Sequence, residues 1–154
     1  MNAGRTGALV IAHGVRAGGD AVEGGLCLLR IVVIHAGMFE TALQAGEIIT
    51  EVSFPVPVRA AYMKFRNPAS RYAIVGVFVA DLGSGVRVAV TGAAPCVFRV
   101  PAMEAALSAR FAPQAIAAIK LPEQGLNPDM HSQADHRAQL VTVMAMRAVE
   151  AALG

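Results

Sequence analysis

The chain has no tryptophan, only two cysteines and few charged side chains, and each shortage removes a class of protein. Cys27 and Cys96 form neither a disulfide scaffold nor a metal-ligand spacing. A reducing, cytoplasmic setting is therefore the default expectation. Aromatic residues are 5% of the 154 and charged residues 16%, with a net charge of +2. The basic residues are scattered, which leaves no electrostatic footprint for nucleic acid. Long apolar runs are missing too. Leu26 to Ile34 is too short to span a bilayer and contains Arg30, so no membrane span is expected. Arg5 is followed by only a brief apolar stretch before His13, unlike a secretory signal.

What is present is alanine and valine, which lift the hydrophobic share to 55% and make disorder over most of the length improbable on physical grounds. The length suits a single core. Residues 1–36 read as a poorly specified lead-in. Met1 to Gly25 holds seven glycines and no aromatic residue. His13-Gly14 and Gly18-Gly19 lack the strand–loop–helix context of a phosphate loop. Leu26 to His35 reads as a strand. Residues 37–154 form the domain proper. Glu47 to Phe54 alternates as a half-buried strand, ended by Pro55 and Pro57.

The chain is organised around Tyr72 to Ala80, an apolar β-branched run that suits a strand buried on both sides. Ala60 to Phe65 is the strand before it, joined through an Asn67-Pro68 turn. Gly83-Ser84-Gly85 closes a hairpin onto Val86 to Thr91. Gly76, in mid-strand, marks a bulge or a close approach by backbone or ligand. The period then changes. Pro101 opens a helix through Met103, Leu107 and Arg110, and Pro113 to Ile119 reads as a second short helix. In the last helix Ser132 and Asp135 resemble a capping box. Leu140, Val143, Met144, Ala148 and Ala151 form its apolar stripe, with Arg137 and Arg147 on the solvated side. Strands first and helices after predict an α+β fold: an antiparallel sheet of three to four strands against a layer of about three helices.

No nucleophile–base pair stands out, so no catalytic residue is assigned. His131 and His136 have the wrong spacing for two ligands on one helix face, and no metal site is expected. Lys64 and Tyr72 remain. Two strands joined by a short loop bring them to one edge of the sheet. A tyrosine ring there can stack on a planar heterocycle, and a lysine can stabilise nearby negative charge. A half-buried tyrosine and a solvated lysine are the plainer alternative.

These residues also carry a resemblance. Lys64-Phe65, Ala69-Ser70, Tyr72-Ala73 and Val75-Gly76 follow the pattern of the medium, FAD-binding subunit of carbon monoxide dehydrogenase and its molybdenum hydroxylase relatives, including the xanthine dehydrogenase type. Val88 to Pro95, Glu104 with Leu107, and Asp129 to Arg137 leading into Arg147-Ala148 continue it. Upstream, Gly37 to Leu43 and Gly46 to Val52 are similar to the family's join between its flavin domain and its C-terminal domain. The resemblance implies a C-terminal domain that closes over the flavin, with Tyr72 against the isoalloxazine ring and Lys64 near its polar edge. It implies FAD as cofactor, and a molybdopterin-binding large subunit and an iron–sulfur small subunit as partners. The subunit would relay electrons from the iron–sulfur clusters to an external acceptor.

Two departures shape the expectation. The glycine-rich loops that hold the FAD pyrophosphate are not found in residues 1–36, and His136 stands where the family has tyrosine. One stacking contact adds about 0.5–1.5 kcal/mol beyond burial, whereas micromolar binding needs about 8 kcal/mol. Tyr72 and Lys64 by themselves do not hold FAD, so the chain is expected to be an incomplete flavoprotein subunit, inactive alone. The alternative is a non-catalytic assembly domain that forms homo-oligomers through an exposed apolar surface.

Overall fold

The structure, a computed structural model, describes residues 55–128 and 132–154, together with the backbone of four short strands before them. These are β1 (Val15–Arg16), β2 (His35–Gly37), β3 (Glu40–Thr41) and β4 (Ile48–Ile49). β1 pairs antiparallel with β4, and β2 with β3. The strand expected over Leu26 to His35 lies outside the described residues apart from His35, as does the Glu47–Phe54 strand apart from Ile48–Ile49. Val15–Arg16 is a strand where the glycine-rich sequence predicts loop. Backbone pairing of two residues leaves no side-chain period to read.

The main sheet has four antiparallel strands in the order β5 (Arg59–Arg66), β6 (Ala73–Asp81), β7 (Val86–Thr91) and β8 (Phe98–Arg99). Helix α1 (Pro101–Ala109), a single 3-10 turn (Pro113–Ala115) and helix α2 (Ala134–Leu153) follow. The α+β architecture is as the sequence predicts. The expected second helix shrinks to the 3-10 turn. No helix among the described residues is long and apolar enough to cross a membrane.

Local chemistry sets the turns. Asn67 is buried, and its Oδ1 accepts the Ala69 and Ser70 amides at 2.9 and 3.1 Å. An asparagine that folds its own loop in this way replaces a backbone turn. Arg71 closes the loop in the left-handed region, φ 60°. At the next hairpin Asp81 Oδ1 accepts the Gly83 amide at 2.9 Å, and Gly83 takes φ 77°.

Strand alternation separates the sheet's two faces. Val75, Val77 and Val79 on β6 join Val86, Val88 and Val90 on β7 in one cluster with Met103 and Leu107 of α1 and Val141, Met144, Ala145 and Val149 of α2. Each buried side chain of this kind contributes about 1.5–3 kcal/mol, so this layer dominates stability. The opposite face carries a smaller cluster of Phe78, Ala80 and Ala89.

Gly76 is not a bulge. It pairs regularly with Lys64 and Thr91, and the register shift lies instead at Phe65/Arg66. The glycine makes room for a side chain: a Cβ there would sit 2.1 Å from the Tyr62 phenolic oxygen.

Helix α2 departs from expectation at its start and in its phase. Its N-cap is Gln133 with no side-chain cap hydrogen bond, so Ser132 and Asp135 do not form a capping box. Ser132 Oγ instead meets His136 Nδ1 at 3.2 Å, and Asp135 Oδ1 accepts the His136 amide. Val143 and Ala151 are exposed, whereas Val141, Ala145 and Val149 are buried beside Leu140, Met144 and Ala148. Arg147 is exposed as predicted, but Arg137 is only 2% exposed.

Candidate functional site

The β5–β6 loop brings Lys64 and Tyr72 to one corner. The β-bulge and the Asn67 turn fold the chain back so that Tyr72 O accepts the Asn67 amide at 2.9 Å. Asn67 Nδ2 reaches the Tyr72 hydroxyl at 3.5 Å, a long contact that orients more than it binds. Lys64 Nζ donates to Arg71 O at 3.2 Å, which places the ammonium beside the residue that precedes Tyr72. Tyr72 is 46% exposed, so part of the residue is open to contact. The ion pairs among the described residues are Arg59–Asp81 and Arg99–Glu104, and neither involves Lys64. Its charge is thus held in place but not neutralised by a carboxylate there.

Sequence reasoning missed the side chains around this corner. Tyr62 lies on the same sheet face as Lys64, two residues earlier, and crosses Gly76 to bring its hydroxyl to Thr91 Oγ1 at 3.3 Å. Thr91 Oγ1 in turn donates to Gly76 O at 3.4 Å. The signal was the period-two spacing of Tyr62 and Lys64 with a glycine opposite. On the edge strand, Phe65 meets the His136 ring edge-on, with centroids 6.1 Å apart and planes at 76°. His136 remains exposed at the foot of α2. His131 lies outside the described residues.

Arg137 is the larger surprise. Its guanidinium donates to Ile74 O, to Gly92 O at 3.0 Å and to Ser132 O at 3.4 Å. Gly92 takes φ 76° and packs so closely on β6 that a Cβ would lie 2.4 Å from Ala73 O. Arg137 thus fastens the start of α2 to the start of β6, two residues from Tyr72. Arginine suits the task because its fork of donors serves several carbonyls at once. At the far edge of the sheet, buried Glu104 plays the matching part. It accepts the Val88 amide at 3.0 Å and a two-pronged bond from Arg99.

One carboxylate has a displaced titration. The Gly83 amide holds the Asp81 carboxyl below its ordinary value, and Arg59 adds to this, against desolvation that pushes it up. It sits at the β6–β7 turn, the opposite end of β6 from Tyr72. No group of three metal-ligating side chains forms among the described residues.

A half-exposed ring beside an ammonium that makes no ion pair among the described residues is chemistry able to meet a planar apolar heterocycle with a polar edge. Residues 1–36, where the glycine-rich loops are not found in the sequence, lie outside the described residues apart from the backbone of Val15–Arg16, His35 and Ala36.

No family model and no curated protein matches the chain. Solved structures do. The reconstituted CO dehydrogenase from Oligotropha carboxidovorans superposes with a TM-score of 0.60 at 24% identity, over 78% of this chain and 46% of that one. The cyanide-inactivated form of the Cu,Mo-CO dehydrogenase gives 0.59, also at 24% identity and with the same coverage. Quinoline 2-oxidoreductase from Pseudomonas putida 86 gives 0.60 at 22% identity, over 79% of this chain and 46% of that one. The chain shares its fold with part of these oxidoreductases and spans just under half the length of the chains it matches.

Proposed function

We propose that this chain supplies the flavin-contacting C-terminal domain of a molybdenum hydroxylase flavoprotein subunit. The observation that carries the reading is the joint placement of Tyr72 and Lys64 at one exposed corner of a fold shared with CO dehydrogenase and quinoline 2-oxidoreductase. In the proposal the Tyr72 ring covers the isoalloxazine and excludes water from it. Lys64 presents positive charge at the polar edge, where reduction builds negative charge. FAD, when bound, supplies the electron-carrying chemistry between the iron–sulfur clusters of a small subunit and an external acceptor. A molybdopterin-binding large subunit completes the complex. On this reading Tyr72 and Lys64 by themselves do not grip the pyrophosphate, and the two residues alone do not hold FAD.

The test is native isolation of the full chain from its source cells. Molybdopterin and iron–sulfur subunits should accompany it, with flavin in stoichiometric amount. Tyr72→Ala should shift the flavin spectrum and slow its reduction. A complex without flavin, or a spectrum and reduction rate unchanged by Tyr72→Ala, overturns the proposal.

A second reading is supported by Val56 and Val58, which are 91% and 71% exposed at the lead into β5. Bare valines favour association. A non-catalytic assembly domain, forming a homo-oligomer there, should dissociate on size-exclusion chromatography when Val58 is changed to Lys.

A further inference from the structure

Beyond β7, on the sheet edge opposite the Tyr72 corner, lies a cleft of about 690 Å³. That is within the range of about 300–1,000 Å³ occupied by small-molecule sites. Its walls are β8, the first turn of α1 and the segment from Ile119 to Leu126, and its lining is mainly apolar, with Val97, Phe98, Ile119, Leu121 and Leu126 prominent. We infer that this cleft binds a small amphiphile with an apolar body and one anionic head.

The cleft is preformed. Thr142 of α2 donates to Ile119 O at 2.9 Å, and the Asn127 amide donates to Ala93 O at 2.8 Å, so both ends of the loop wall are tied down. Arg99 is fixed by its two-pronged bond to Glu104. A preformed site loses little free energy to ordering when a ligand enters.

The charge of the lining selects the head group. Among the described residues it includes two cationic side chains, Arg99 and Lys120, and no carboxylate. Glu104 already satisfies Arg99. Lys120 is exposed and makes no ion pair among the described residues. An apolar body therefore fills the cleft with its carboxylate, or a similar monoanion, beside Lys120. This site uses none of the residues at the flavin-facing corner and does not depend on that reading.

Calorimetric titration of the full chain with decanoate, decanol and decyltrimethylammonium tests the inference, with amide chemical shifts to locate binding. Decanoate should saturate at one site, shift Phe98, Leu121 and Leu126, and bind more tightly than the cation. Ala102→Trp, at the exposed start of α1, should weaken it about tenfold or more by filling the cleft. Lys120→Glu should weaken decanoate about three- to tenfold and leave decanol unchanged, the scale of reversing one exposed charge contact. Circular dichroism matching wild type establishes that each variant is folded. If Ala102→Trp fails to fold, the surface variant Lys120→Glu decides. No saturation, shifts confined elsewhere, equal affinity for decanoate and decyltrimethylammonium, or a folded Lys120→Glu with unchanged decanoate affinity overturns the inference.

Discussion

The two faces of the main sheet are built from different materials. The helix-covered face is valine on valine, with Val75, Val77, Val79, Val88 and Val90 fully buried. The other face mixes Tyr62, Lys64, Gly76, Phe78, Ala80, Ala89 and Thr91, and Tyr62 is 42% exposed. The first face holds the domain together. The second, with the loop at its end, leaves rings and a cation at the surface, and it is this face that the proposed function uses. The polar residues that hold the first face to its helices, Arg137 and Glu104, are buried. The residues assigned to function are half-exposed and lightly held. A side chain that must meet another molecule cannot also be sealed inside the core.

The sharpest way to break this contrast is to remove a buried fastening. Arg137→Met should leave the Ile74 and Gly92 carbonyls without their donor and cost about 3 kcal/mol of unfolding free energy in urea titrations, since each buried group left unpaired costs about 1–3 kcal/mol. A variant within error of wild type would mean that Arg137 is a bystander. Met103→Ala, at a fully buried position, should cost about 2–5 kcal/mol through the cavity it leaves.

On the other face the expected effects are smaller and of another kind. Gly76→Val should cost about 1–3 kcal/mol, the scale of overpacking, by evicting the Tyr62 ring. Adding Tyr62→Ala should return part of that loss. A double variant as unstable as the sum of the singles would refute the close approach of Tyr62. Asp81 gives a pH signature. Its folded-state titration is lowered, so its contribution is present above the ordinary carboxylate value of about 3.9 and is lost as pH falls through the folded value. The stability gap between wild type and Asp81→Asn should therefore close on acidification below about pH 4 and hold steady near neutrality. Last, Tyr72→Ala should change the stability of the isolated chain by no more than about 0.5 kcal/mol, as surface substitutions do. A loss of several kcal/mol would place Tyr72 among the structural residues.

Much of the frame was legible from residue order. β6 and β7 follow from uninterrupted and alternating valines, the hairpins from Asn67-Pro68 and Gly83-Ser84-Gly85, and α1 from Pro101 with Met103 and Leu107 behind it. The phase of α2 was not, because alanine, valine and methionine occur nearly all round it and leave little contrast between faces. Selecting Val143 and Ala151 over Val141, Ala145 and Val149 was a choice among near-equal stripes. Two strands joined by a short loop bring Lys64 and Tyr72 together, but their candidate role comes from the family resemblance and not from that spacing. Tyr62 and Thr91, which complete the corner's surroundings, answer to strand register, and register involves two segments at once.

Sequence by itself determined β5, β6, β7, α1 and α2, because alternation, helical spacing and turn residues act between near neighbours. Tertiary structure decided that Arg137 is a core residue rather than a solvated one. An arginine is buried only where carbonyls converge to receive it, and those of Ile74, Gly92 and Ser132 come from three separate segments. Their meeting point exists only after the sheet and α2 have packed.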